Sequence, residues 1–110
     1  MRAGALLDMA HPVTLCPSEA IPEGGGRQFQ AAGREVAVFR RDGRLYALDG
    51  VCPHQGGPLG EGELVGGRVT CLWHGWSFDL ETGRCVEEPD EAVESFAVRD
   101  ADGHVVVDLP

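Results

Sequence analysis

Two cysteine–histidine turns in the glycine-rich middle third of the chain, residues 51–84, place the strongest constraint on its fold. One residue separates Cys52 from His54, two separate Cys71 from His74, and sixteen lie between the pairs. Tight turns can point a thiolate and an imidazole at one small object, so two such turns can form a four-ligand clamp. Since this segment lacks long apolar runs and cannot build a core of its own, we expect a bound metal centre to order it.

The rest of the sequence predicts short β-strands joined by tight turns. The candidate strands cover residues 13–16, 35–40, 44–48, 95–99 and 104–108. Asp-Gly pairs at 42–43 and 102–103 are typical of hairpin turns. No window has the 3.6-residue apolar period of an amphipathic helix, and 16 glycines and 7 prolines favour a turn-rich fold. We therefore predict an all-β fold, a small sandwich or barrel.

Length and charge argue against several classes of function. The 110 residues are the size of one domain. Nine basic against 18 acidic residues give a formal net charge of −9, which disfavours binding to nucleic acid or to an anionic membrane. No apolar run approaches the about 20 residues of a membrane span. The apolar start at residues 3–7 is too short for a signal peptide, so we expect residues 1–10 to be frayed and the protein to be cytoplasmic.

The spacing Cys-x-His-x16-Cys-x2-His, followed by Gly-Trp-Ser-Phe-Asp-Leu at 75–80, closely resembles Rieske-type [2Fe–2S] proteins. Within them the chain is similar to the soluble, low-potential ferredoxins of ring-hydroxylating dioxygenase systems. The resemblance extends from about residue 15 to 107. It implies one Rieske domain over residues 1–110, with a small antiparallel sandwich or barrel and an inserted cluster-binding subdomain at about 50–84.

The same resemblance assigns the four ligands. It implies one Rieske [2Fe–2S] cluster per chain, with Cys52 and Cys71 on one iron and His54 and His74 on the other. No catalytic residue is implied. Two thiolates and two neutral imidazoles leave the oxidised cluster uncharged, whereas four thiolates would leave a dianion. Reduction is therefore easier than in plant-type ferredoxins.

Two departures from the respiratory-complex Rieske proteins predict a low reduction potential. Those proteins have a disulfide between the two cluster loops, and the matching positions here are Gly57 and Trp73. They also have serine and tyrosine hydroxyls that donate hydrogen bonds to sulfur, where this chain has Trp76 and Phe78. We expect a potential at the low end of the Rieske range, near about −150 mV.

The resemblance implies an electron carrier rather than an enzyme. The chain would take single electrons from an NAD(P)H-dependent reductase and pass them to a terminal oxygenase through transient docking. We expect no small-molecule substrate pocket, and the sequence has no dinucleotide-binding fingerprint. The acidic excess is either a solvated surface or a means of docking onto basic faces of the two partner proteins.

Two alternative functions stay open. The small subunit of an assimilatory NAD(P)H nitrite reductase has the same Rieske-like fold. A zinc-stabilised interaction module would also use two cysteines and two histidines, although zinc motifs usually begin with Cys-x2–4-Cys.

The remaining cysteines and histidines lie outside the motif. Cys16 and Cys85 are predicted to be free, inert thiols. His11 and His104 have no cysteine close by in sequence and are predicted to be surface residues.

Overall fold

The computed structural model describes residues 11–53, 56–73 and 75–110. Within these ranges the chain forms ten β-strands and two short 3-10 helices. The strands are β1 (His11–Pro17), β2 (Gly26–Ala31), β3 (Arg34–Arg41), β4 (Arg44–Asp49), β5 (Glu63–Val65), β6 (Arg68–Thr70), β7 (Ser77–Asp79), β8 (Ser95–Phe96), β9 (Val98–Ala101) and β10 (His104–Leu109). The helices are Ser18–Ala20 and Leu59–Glu61. The predicted all-β fold is confirmed.

The strands form three antiparallel sheets. Their orders are β1-β10-β9, β2-β3-β4-β8 and β5-β6-β7. β4 and β8 are neighbours in one sheet, although residues 50–94 separate them in sequence. The middle third is thus inserted between two paired strands, and its own sheet is β5-β6-β7.

Among the described residues, no helix combines the length and the hydrophobicity needed to cross a bilayer.

Three tight hairpins share one turn geometry. At Asp42-Gly43 and Asp102-Gly103, all four φ angles lie between 53° and 83°, so both central residues are left-handed as a type I′ turn requires. These two hairpins confirm the sequence prediction. Ala32-Gly33, with φ of 52° and 79°, forms the third turn, between β2 and β3. The sequence analysis did not predict β2.

The predicted strand at residues 95–99 is divided between two sheets. Phe96 pairs with Ala47 of β4, whereas Val98 pairs with Val107 of β10. Ala97 joins the two short strands, and its carbonyl accepts the N–H of Asp108 at 2.9 Å. The prediction of one strand there is wrong, because the chain passes from one sheet to the other within it.

The central strand β3 is buried on both faces. Val36 and Val38 point to one hydrophobic cluster, Ala37 and Phe39 point to another, and all four are fully buried. This follows from strand geometry, since successive side chains point to opposite faces. The base core comprises Ile21, Val36, Val38, Ala47, Phe96, Val105, Val107 and Leu109. The loop-side core comprises Ala37, Phe39, Leu48, Cys52, Leu59, Val69, Cys71, Phe78, Leu80, Cys85 and Val93.

The middle third contributes more to the core than we predicted. Leu59, Val69 and Phe78 are fully buried and pack in the loop-side core, which they share with side chains of β3 and β4. The segment is therefore held in part by a core that it shares with β3 and β4, which the sequence analysis did not anticipate. Each of its short elements contributes a single apolar residue, so the sequence shows no apolar run, although the residues meet in space.

We expect Val38→Ala and Val69→Ala to lower the free energy of unfolding by about 2 kcal/mol each, from lost burial and the cavity left behind. The two side chains are fully buried in different cores. The double variant should therefore show additive losses within about 0.5 kcal/mol in chemical denaturation. A larger departure from additivity would contradict two separately packed cores.

Candidate metal centre

The first cysteine loop, residues 52–57, is closed by two backbone hydrogen bonds. The N–H of Cys52 donates to the carbonyl of Gly57 at 2.9 Å, and the N–H of Gly56 donates to the carbonyl of Cys52 at 2.8 Å. Gly56 has a φ of 77°, which glycine adopts without steric cost. The loop follows β4 and precedes the Leu59–Glu61 helix, so both of its ends enter regular structure.

The second cysteine loop, residues 71–76, repeats this pattern. The N–H of Cys71 donates to the carbonyl of Trp76 at 2.8 Å, and the N–H of Gly75 donates to the carbonyl of Cys71 at 2.9 Å. Gly75 has a φ of 82° and occupies the place that Gly56 has in the first loop. The two loops are therefore equivalent turns, each with a cysteine at the first position and a glycine at the fifth. This repeat is visible in the sequence, but our sequence analysis did not use it.

The two loops face each other at Gly57. A Cβ atom on Gly57 would lie 2.9 Å from the Trp73 ring and 3.2 Å from Sγ of Cys71. Only a residue without a side chain allows this approach. The two positions that match the absent disulfide, Gly57 and Trp73, are thus in contact across the loops, and an indole ring lies where the resemblance places the disulfide.

The two predicted cysteine ligands are buried together. Cys52 is 0% exposed and Cys71 is 1% exposed, and both belong to the loop-side core. Within the described residues no disulfide joins the cysteines. Thiolate sulfur is a soft donor that suits iron–sulfur clusters and zinc. Two buried sulfurs on facing turns therefore fit a thiolate-bound metal centre.

The two predicted histidine ligands, His54 and His74, lie outside the described residues. The structure thus brings together the loops that carry Cys52 and Cys71, and the ligand set as a whole stays a prediction.

The second loop is fastened at its base by β6, β7 and an acidic segment. The hydroxyls of Thr70 and Ser77 lie 3.0 Å apart across the ladder that closes the loop. The N–H of Ser77 donates to Oε1 of Glu87 at 2.7 Å, and the carbonyl of Ser77 accepts the N–H of Val86 at 2.8 Å. Sγ of Cys85 also lies 3.8 Å from that Glu87 oxygen. Donation from the Ser77 N–H lowers the pKa of the Glu87 carboxyl below its ordinary value.

Exposed apolar side chains lie on the second loop and next to both loops. Leu72 and Trp73, on the second loop, are 67% and 60% exposed, and Val51 and Val86 are also exposed. Trp76 is half-buried against the loop-side core. Large exposed apolar side chains that lie close together are typical of interaction surfaces.

The residues outside the motif lie where the sequence analysis expected. His11 and His104 are exposed, which confirms that prediction. Cys85 is 1% exposed and packs in the loop-side core. Cys16 is half-buried, and burial raises the pKa of its thiol, which favours the protonated, unreactive form.

A comparison with protein families identifies the family of this chain. A family model for the Rieske [2Fe-2S] domain matches residues 11–97. This chain belongs to the Rieske [2Fe–2S] domain family. A Rieske-type [2Fe–2S] cluster is the cofactor that this family membership implies for the chain.

Individual relatives of this Rieske domain include ferredoxins. The ferredoxin component of the alkene monooxygenase system of Xanthobacter autotrophicus is 31% identical over 96 residues, which are 86% of this chain and 79% of that protein. A solved chain described as an NADH-dependent nitrite reductase small subunit from Mycobacterium tuberculosis has a TM-score of 0.84 and 26% identity. That alignment covers 92% of this chain and 96% of the other.

A third relative comes from a complex of reduced oxygenase and oxidized ferredoxin in carbazole 1,9a-dioxygenase. The matching chain has a TM-score of 0.79 and 28% identity, covering 87% of this chain and 91% of its own length. Most of the other curated relatives are much longer, since this Rieske domain spans only 14–23% of their length.

We expect Glu87→Gln to destabilise the protein near neutral pH, because the carboxylate accepts the Ser77 N–H more strongly than a neutral amide would. The pKa of Glu87 is lowered from 4.5, so its contribution is complete above pH 4.5 and disappears as the pH falls through the lower folded value. Thermal unfolding of both proteins as a function of pH tests this. A stability difference that persists in strong acid would contradict the assignment.

Proposed function

We propose that this Rieske domain carries single electrons from an NAD(P)H-dependent reductase to a terminal oxygenase. The observation that carries the proposal is the pair of facing cysteine loops, with both sulfurs buried and exposed apolar side chains beside them. The resemblance to ferredoxin components of an alkene monooxygenase and of carbazole 1,9a-dioxygenase supports it. The domain would act as a component of such a system rather than as an enzyme.

The proposed ligands are Cys52 and Cys71 on one iron and His54 and His74 on the other. When bound, the cluster accepts and releases one electron at a time. The chain itself contributes two buried thiolates on turns of equal geometry, set against the apolar loop-side core. Burial around a cluster limits water access and thereby helps to set its potential. The low potential expected from the sequence rests on this ligand set.

We propose that the partner proteins dock on the second loop and the acidic segment beside it. Leu72 and Trp73 offer exposed apolar area. The hydrogen bond between Glu87 and Ser77 holds the exposed acidic residues of the segment 87–91 next to this loop. A net charge of −9 favours partners with basic faces, and such encounters weaken as salt screens the charges. Weak, salt-sensitive binding suits a carrier that must dissociate after each transfer.

The same proposal includes the domain arrangement and location. Residues 1–110 would form a single Rieske domain with a cluster-binding subdomain at about 50–84, and the protein would be cytoplasmic. The segment 1–10, predicted to be frayed, lies outside the described residues.

A second candidate function is that of a nitrite reductase small subunit. The resemblance to the Mycobacterium tuberculosis chain, over 96% of that chain at a TM-score of 0.84, favours it. Copurification with a large sirohaem protein would support this function. Electron transfer to a Rieske oxygenase would support the first.

The ligand set is tested by EPR of the dithionite-reduced protein, with iron, zinc and sulfide measured on the same sample. We expect equal iron and sulfide and the rhombic signal of a mixed cysteine–histidine cluster. Single substitutions Cys52→Ser, Cys71→Ser, His54→Ala and His74→Ala should each abolish that signal, whereas Cys16→Ser should keep it. A normal spectrum in His54→Ala would overturn the ligand assignment, and a colourless, zinc-rich sample would favour the zinc-stabilised module.

The docking surface is tested with Leu72→Ala, matched to Val65→Ala. Both side chains are largely exposed, at 67% and 60%, but Val65 lies at the end of β5, outside the cysteine loops. We expect Leu72→Ala to slow electron transfer to a terminal oxygenase roughly fivefold at limiting partner concentration, which corresponds to about 1 kcal/mol. The EPR signal of both variants should be unchanged. Equal transfer rates would contradict docking at the second loop.

A further inference from the structure

The side-chain amide of Gln28, on β2, forms hydrogen bonds with residues on both sides of the first cysteine loop. Its Nε2 donates to the carbonyl of Gly50 at 2.8 Å, and its Oε1 accepts the N–H of Gly60 at 2.7 Å. Gly50 precedes the segment that contains Cys52, and Gly60 follows it. One side chain of β2 thus connects the residue before the loop with the residue after it.

The orientation of this amide is chemically fixed. A backbone N–H can only donate and a backbone carbonyl can only accept, so the amide oxygen must face Gly60 and the nitrogen must face Gly50. The second hydrogen of Nε2 points to Oε1 of Glu35, on β3, at 3.1 Å. All the polar groups of the Gln28 side chain therefore have partners, and a flipped amide would lose each of them.

The backbone around the amide leaves no room for other side chains. A Cβ on Gly50 would lie 2.4 Å from Nε2 of Gln28, and a Cβ on Gly60 would lie 2.6 Å from the backbone nitrogen of Gln28. The N–H of Gly50 donates to the carbonyl of Glu35 at 2.9 Å. The carbonyl of Gly50 accepts the N–H of Leu59 at 2.8 Å. The loop ends are thus held against β2 and β3 by backbone and side-chain bonds together.

We propose that Gln28 is a positioning residue for the metal centre. It fixes the separation of Gly50 and Gly60. Because these two residues lie on either side of the first cysteine loop, it also fixes the placement of Cys52. Gln28 would act through the backbone of Gly50 and Gly60, to which its side chain is hydrogen-bonded. The inference rests on the proposed role of Cys52 as a ligand, because a shift of the loop ends matters most where the loop holds a metal.

The first test compares Gln28→Leu with Gln30→Leu in the cluster-loaded protein. Gln30 is on the same strand, but it is exposed. We expect Gln28→Leu to lose its cluster to a chelator about tenfold faster, the lower end of the effect seen for residues that orient metal ligands. Its EPR g values and midpoint potential should shift, and amide hydrogen exchange in residues 56–61 should accelerate. Gln30→Leu should behave as the wild type. Unchanged cluster retention and potential in Gln28→Leu would overturn the proposal.

A second test separates loop anchoring from the contact with Glu35. Gln28→Glu keeps an acceptor for the Gly60 N–H, but it removes the donor to Gly50 and places a carboxylate beside Glu35. Adding Glu35→Gln restores a hydrogen-bonded pair between positions 28 and 35, but not the bond to Gly50. We expect the double variant to lose its cluster several-fold faster than the wild type. Full recovery would show that the bond to Gly50 is not needed and would overturn the proposal that Gln28 bridges the two sides of the loop.

The double variant also covers the case in which Gln28→Leu fails to fold, since it keeps a polar contact between β2 and β3. Failure of the proposed function is distinguishable from failure of this inference. A wild-type protein without iron, sulfide or the mixed-ligand EPR signal would overturn the ligand assignment, whereas a normal wild type with unaffected Gln28 variants would overturn only the role of Gln28.

Discussion

The structure depends on a strand that is buried on both sides. Because side chains alternate along β3, Val36 and Val38 pack into the base core while Ala37 and Phe39 pack into the loop-side core. The base core is made mainly by strands of the two sheets that lie outside the inserted middle third. The loop-side core is completed by residues of the inserted middle third, so β3 connects the segment that holds the cysteines to the rest of the molecule.

The cysteine loops themselves are held mainly by backbone contacts. Each is closed by the same two hydrogen bonds, and each is fastened at its base to a neighbouring element, the first through Gln28 and the second through Ser77 and Glu87. The side chains of Trp73 and Cys71 lie against the backbone of Gly57, and this contact brings the loops together. This arrangement explains why a segment rich in glycine is still ordered: its few apolar side chains provide a common core, and its glycines allow backbones to meet.

Part of this fold could be predicted from the sequence, because some of its determinants are local. The Asp-Gly hairpins follow from the positive φ angles that such turns need, and the cysteine–histidine spacing identified the family. β2 was missed because it begins at the last of three consecutive glycines and ends in an Ala-Gly turn. The division of residues 95–99 at Ala97 depends on which strands pair in space, and the local sequence does not indicate this pairing.

The support of the candidate site was harder to predict than the spacing of its proposed ligands, for a physical reason. In this chain each candidate cysteine is separated by one or two residues from a candidate histidine, so the pairs can be recognised in the sequence. Gln28 reaches partners 22 and 32 residues away, and an amide on a polar strand looks like any solvated side chain until the fold is known. Residues that hold a metal-binding loop in place from another strand are therefore hard to identify from the sequence alone. In the proposed role as an electron carrier such support is also important, because a centre that takes up and releases electrons without moving needs its loops held at the base, while Leu72 and Trp73 on the second loop stay exposed for a partner.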